Sequence, residues 1–202
     1  MKAVAVPHER STGDPNTTLG TSAVLIPVKS FAAAKQRLGS ALPDAQRRGL
    51  VKQMAAQVIL ASAPLAVAVV CDDAEVADWA RLHGALVIWE PGRGLNGAVE
   101  SGVARLAELG VQSATVAHAD LPLAAGIGRL ERFDGVTLVP DRQDNGTNLI
   151  RLPVDCGFRF SYGPGSFERH LQECARLGLP VSVLRRAELA FDLDWPTDLP
   201  LP

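Results

Sequence analysis

Short apolar runs alternate along the chain with stretches whose apolar positions recur every three to four residues. Ala23 to Val28 reads as a first strand, and Asp44 can cap a helix that carries Leu50, Met54 and Val58 to about Ala61, ahead of Pro64. Leu65 to Cys71 is continuously apolar, as suits a strand covered on both faces. Asp73 to His83 has helical spacing and Gly84 stops it; Ala85 to Trp89 supplies the next strand. Leu95 to Leu109 is again helical before Gly110, and Ser113 to His118 is a further strand.

The second half is less regular. Val136 to Val139 and Asn148 to Leu152 read as strands around a polar loop, Asp141 to Thr147. Ser166 to Leu177 has Phe167, Leu171 and Cys174 on one side and Glu168, Arg169, Gln172 and Glu173 on the other, which is an amphipathic helix. Val181 to Leu184 and Leu189 to Phe191 then lead into Asp192, Asp194 and a turn at Pro196. The alternation predicts an α/β fold: a three-layer α/β/α domain, Rossmann-related, whose sheet is mostly parallel with mixed direction in the second half.

Composition narrows this picture. With 202 residues, 47% of them hydrophobic, the chain has material for one sizeable core, so residues 21–202 are expected to form a single domain. The first twenty residues are polar and are expected to be a flexible extension. A net charge of −2 argues against nucleic-acid or anionic-membrane partners, so a phosphate ligand would have to be held locally. No run of about 18 apolar residues appears that could span a bilayer and the N-terminal residues lack the apolar core of a secretion signal, so with three widely spaced cysteines a reducing cytoplasm is expected.

Candidate chemistry begins after the first strand. Lys29, Lys35 and Arg37 follow it where other α/β domains place a glycine-rich phosphate loop, so side-chain charge could replace backbone amides there. Asp120, in His118-Ala119-Asp120-Leu121-Pro122, should project at the carboxyl edge of the sheet, where an acid suits Mg²⁺. Asp192 and Asp194 would face one side of an extended segment, either joining Asp120 at a metal or capping the next turn. Asn96, in a Gly-rich turn opening a helix, can meet a base or ribose, or simply cap that helix. The loops Asp144 to Asn148 and Tyr162 to Ser166 can form anion nests or serve as ordinary turns. His118 reads as structural rather than catalytic.

Taken in order, Leu25-Ile26-Pro27-Val28-Lys29, Ala34-Lys35-Gln36-Arg37-Leu38, His118 to Pro122, Asp144 to Asn148, Tyr162 to Ser166 and Asp192-Leu193-Asp194 resemble one family over about residues 22–199. It is the 2-phospho-L-lactate or phosphoenolpyruvate guanylyltransferase family of coenzyme F-420 biosynthesis, nucleotidyltransferases with a glycosyltransferase-A-like fold. The resemblance implies transfer of GMP from GTP to the phosphate of a small phosphorylated carboxylic acid, with pyrophosphate released. It also implies that Asp120, Asp192 and Asp194 hold Mg²⁺, and that Lys29, Lys35 and Arg37 bind the triphosphate. The Asn96 loop would lie near guanine or ribose, and Thr147, Gly163 and Ser166 would bind the acceptor. Trp195 departs from the pattern, standing where a smaller polar residue is usual. The alternatives are another nucleotidyltransferase, acting on a molybdenum cofactor or a sugar phosphate, and a nucleotide-binding domain without turnover. The acceptor (phosphoenolpyruvate, 2-phospho-L-lactate or 3-phosphoglycerate) and the oligomeric state are left open.

Overall fold

The first apolar run becomes β1, Ser22–Pro27, whose alternate residues enter different cores: Val24 and Ile26 on one face of the sheet, Ala23 and Leu25 on the other. This two-sided burial, seen in a computed structural model describing residues 19–132 and 135–199, explains why the strand sequence is apolar throughout. Residues 1–18 of the expected extension lie outside the described residues; of the other two, Leu19 is buried in the second core.

The remaining strands are β2 (Ala66–Cys71), β3 (Leu86–Trp89), β4 (Ser113–Ala117), β5 (Val136–Pro140), β6 (Thr147–Pro153) and β7 (Val181–Val183). Among the described residues they form one sheet in the order β3-β2-β1-β4-β6-β5-β7. Adjacent strands are parallel except that β6 runs antiparallel to both β4 and β5. The expected mixed direction is therefore the work of one reversed strand.

Helices α1 (Asp44–Ala61) and α2 (Ala74–Leu82) cover one face; α3 (Gly94–Glu108) and α4 (Ser166–Leu177) cover the other. Asp73 caps α2 by accepting from the Val76 amide. Gly102 lets α3 lie close on the sheet, since a Cβ there would stand 2.7 Å from a Leu25 methyl. Leu189 and Ala190 belong to a one-turn helix, α5 (Ala187–Ala190). No α-helix follows β1 directly: the chain turns over residues 31–35 and makes a 3-10 turn at Gln36–Ser40 before α1.

Candidate active site

β1 and β4 are parallel neighbours, so their carboxyl ends deliver Lys29 and Asp120 to the same edge of the sheet. Beyond β1, buried Arg47 of α1 donates to the Ala34 carbonyl and to Asp44, which anchors the turn. Lys35 follows in the left-handed region (φ 53°, ψ 40°), a conformation that costs a non-glycine residue about 1 kcal/mol or more and is kept only where the surroundings enforce it. Its ammonium is enforced by charge: Nζ lies 2.5 Å from both Asp120 Oδ2 and Asp194 Oδ1. Burial works to lower the Lys35 pKa, but the two carboxylates outweigh it and hold the ammonium above its ordinary value.

Asp120 is oriented by its backbone as well, its carbonyl accepting from the Leu193 amide. Burial works to raise its carboxyl pKa, and Lys35 overrides that, holding it below the usual carboxylate range. The other oxygen, Oδ1, is buried without a hydrogen-bond partner among the described residues, as is Nε2 of His118. Burial, chiefly, holds His118 below its ordinary pKa and therefore neutral at pH 7. Two such atoms at one strand end leave bonding capacity there for a water, an ion or a ligand.

Asp192 and Asp194 flank fully buried Leu193, so they share a side as the spacing requires, although residues 192–194 form no strand. Both the Asp194 and Trp195 amides donate to Asp198, so the capping role weighed for the Asp pair belongs to Asp198. Burial, with Asp120 and Asp194 nearby, pushes the Asp192 carboxyl up to about 6. Among the described residues no group of three His, Cys, Asp or Glu side chains stands ready as a ligand set, because Lys35 sits between Asp120 and Asp194.

Two clefts open on this edge, and His118 and Asp120 line both. The wider, about 490 Å³, also receives Arg37, Asp141, Arg142, Thr147, Gly163, Ser166, Asp192 and Asp194, so its charged side chains are of both signs. The narrower, about 290 Å³, is walled largely by Pro27, Val28, Ala33, Ala34, Val51 and Leu95, with Lys29 and Lys35 as its cations. The three cations expected at one triphosphate site are thus distributed: Lys35 is held by acids, exposed Arg37 stacks over Trp195 at 4.6 Å in the wide cleft, and exposed Lys29 stands at the narrow one.

The two small-residue loops meet at the wide cleft, but their amides are largely consumed by the chain. Asp141 accepts from the amides of Gln143, Asn145 and Gly146, so its own carboxylate fills the nest expected at Asp144 to Asn148. Asn145 in turn accepts from Gly165 N–H through Oδ1, and Ser166 N–H donates to Gly163. The cleft is lined instead by side-chain hydroxyls: Thr147 Oγ1 lies 3.4 Å from Ser166 Oγ and 3.0 Å from His170 Nδ1. Asn96 accepts from the Tyr162 amide at 2.7 Å, so its carbonyl oxygen ties α3 to the second loop.

Sequence reasoning passed over Arg142, which stacks over Phe191 at 4.2 Å and pairs with Asp198. It also passed over Arg169, which donates to the carbonyls of Ser161, Gly163 and Pro164. Neither carries a local signal, since both are lone arginines in polar segments.

A doubly covered, mostly parallel sheet with acids and lysines at its carboxyl edge, flanked by one apolar and one polar cleft, is the fold of the nucleotidyltransferases. Solved structures share the fold: a nucleotidyl transferase from Methanothermobacter (TM-score 0.64, 15% identity, 88% of this chain and 94% of that one). A second is a 4-diphosphocytidyl-2C-methyl-D-erythritol synthase from Anaerococcus prevotii (TM-score 0.57, 9% identity, 88% and 92% covered). Residues 22–200 match the family model "Guanylyl transferase CofC like", and the chain belongs to that family. It is 40% identical over 184 residues to a phosphoenolpyruvate guanylyltransferase of Rubrobacter xylanophilus, covering 87% of this chain and 90% of that protein. It is 35% identical over 189 residues to one of Sphaerobacter thermophilus, covering 89% and 91%.

Proposed function

We propose that the protein transfers GMP from GTP to the phosphate of phosphoenolpyruvate and releases pyrophosphate, as a step in coenzyme F-420 biosynthesis. The observation that carries this reading is the shared wall: Asp120 lines both a largely apolar cleft with Lys29 and Lys35 at its edge, suited to a nucleotide, and a polar one in which Arg37 and Arg142 stand beside Thr147, Gly163 and Ser166, suited to a small acid bearing a phosphate and a carboxylate.

In this reading an acceptor phosphate oxygen attacks the α-phosphorus of GTP, and the bond from that phosphorus to the β-phosphate bridging oxygen breaks, its electrons leaving with pyrophosphate. The acceptor phosphate, with a second pKa of about 6, is already largely dianionic at neutral pH and needs no general base. Catalysis then consists of holding two anions in line and neutralising their repulsion. Thr147, Gly163 and Ser166 hold the acceptor, with Arg37 and Arg142 at the same cleft for its charge. Lys29 and Lys35 face the nucleotide's phosphates from the narrow cleft.

The donor set fits Mg²⁺: the orphaned Oδ1 of Asp120 and the Asp192 carboxylate are hard oxygen ligands, and Mg²⁺ commonly takes one or two protein carboxylates and completes its shell with phosphates and water. Asp194, held by Lys35, would steady that lysine rather than start as a ligand. When bound, the ion supplies Lewis-acid polarisation of phosphoryl oxygens.

A coupled pyrophosphate-release assay with Mg²⁺ and GTP tests the reading, run separately with phosphoenolpyruvate, 2-phospho-L-lactate and 3-phosphoglycerate. Release with GTP and phosphoenolpyruvate is the expected result. Release with another of the acids would reassign the acceptor, and no release with any would reject the transfer.

A further inference from the structure

The narrow cleft continues into a recess between the carboxyl ends of β2 and β3, sharing Pro27, Val28, Lys29 and Leu95 with it. Glu90, the residue after β3, lines that recess. Its amide donates to the Cys71 carbonyl at 2.9 Å, so its backbone is fixed to the end of β2 rather than free in the loop that follows. The side chain is 24% exposed, and Arg93 holds its Oε2 from one side at 3.1 Å. The other carboxylate of the recess, Asp72, is exposed. A half-buried carboxylate on a fixed backbone, at the end of an apolar cleft, is placed to read one edge of a flat ring.

We infer that Glu90 is the residue that selects guanine, accepting hydrogen bonds from N1–H and the 2-amino group of the base. The inference rests on the proposed nucleotide site. Guanine presents two adjacent donors there, which match the two oxygens of a carboxylate, a charge-assisted bidentate pairing. Adenine presents the N1 lone pair at the same place, which the carboxylate repels, and hypoxanthine lacks the second donor. The recess itself, about 40 Å³, admits only the edge of the ring; the body of the base lies in the narrow cleft, where Val28 and Leu95 supply carbon walls that grip any purine but discriminate none.

The test is Glu90→Gln, assayed for pyrophosphate release with phosphoenolpyruvate, Mg²⁺ and each of GTP, ITP, XTP and ATP. Xanthine keeps N1–H but carries a carbonyl at position 2, to which the glutamine amide can donate. We expect the wild type to prefer GTP to ITP, ATP and XTP. The variant should lose about 100-fold in kcat/KM for GTP and shift its XTP-to-GTP ratio upward by about 10⁴-fold, the scale on which hydrogen-bonding sites reject mismatched partners. A gain with XTP cannot come from misfolding, and an unchanged ratio would overturn the inference. Calorimetric titration with GDP and ADP separates this from the transfer reading. If no acid supports turnover, GDP binding that exceeds ADP binding and is lost in Glu90→Gln still upholds Glu90, whereas equal binding rejects it.

Discussion

Asp120 concentrates more of the proposed chemistry than any neighbour, since one oxygen pairs with Lys35 and the other is buried without a hydrogen-bond partner among the described residues. Asp120→Asn keeps the shape and removes the charge. Turnover should fall by about 10³-fold or more, the scale of lost electrostatic stabilisation in a site of this kind, as read by pyrophosphate release. Asp192 behaves differently because its carboxyl, at about 6, is protonated in mildly acidic solution. Under the proposed metal binding, Mg²⁺ would displace that proton, so the metal's apparent affinity should be flat above pH 6 and fall about tenfold per unit below it, measured by titration calorimetry across pH 5–8. His170 is fully buried, accepts from the Ser161 amide and has a pKa lowered to about 4, chiefly by burial. The unfolded chain protonates this group near 6.5 while the folded one resists, so its contribution is intact above 6.5 and is lost as pH falls toward 4. The loss is about 3 kcal/mol, checked by urea unfolding at pH 7 and pH 4, with His170→Gln flattening the difference.

At the scale of elements, the loop of residues 161–165, which the proposed function gives to the acceptor, is a segment whose carbonyls are gathered by Arg169 from the first turn of α4. The guanidinium touches backbone alone in these contacts, which makes Arg169 a positioning residue. Arg169→Ala should raise KM for the acid by about tenfold or more while KM for GTP stays within about twofold, an asymmetry that general destabilisation would not give. On the opposite side, Gly102→Ala drives a methyl into Leu25 and should cost about 1–3 kcal/mol in denaturant unfolding. These elements differ in how legibly the sequence encodes them. β1, β2 and α4 follow directly from periodicity, because burial on two faces or one writes itself into every position. The turn around Lys35 does not, since its left-handed backbone is imposed by Asp120 and Asp194, which are 85 and 159 residues away in sequence. The loop from Asp141 looked like an anion nest for the same reason in reverse: glycine and asparagine are visible locally, but the fold decides that Asp141 fills it.

Across the whole molecule, one reversed strand separates the two kinds of surface. The end of β1 with α1 and α3 makes the apolar cleft, whereas β6, antiparallel to β4, brings Thr147 beside β4's carboxyl end and creates the polar one. Both clefts end on His118 and Asp120. The acid motifs marked that wall in the sequence; the partition itself was not legible, since it depends on strand order. That shared wall has a consequence for what leaves the enzyme. Under the proposed reaction, the product is the two substrates fused through a diphosphate, a molecule with one foot in each cleft. Such a bivalent ligand gains from tethering, because once one end is seated the other meets its site at an effective concentration in the millimolar range. The product should therefore compete against both substrates and depart more slowly than either, so that flux depends on a downstream acceptor drawing it off, and stable mimics of it should be the tightest inhibitors of this protein.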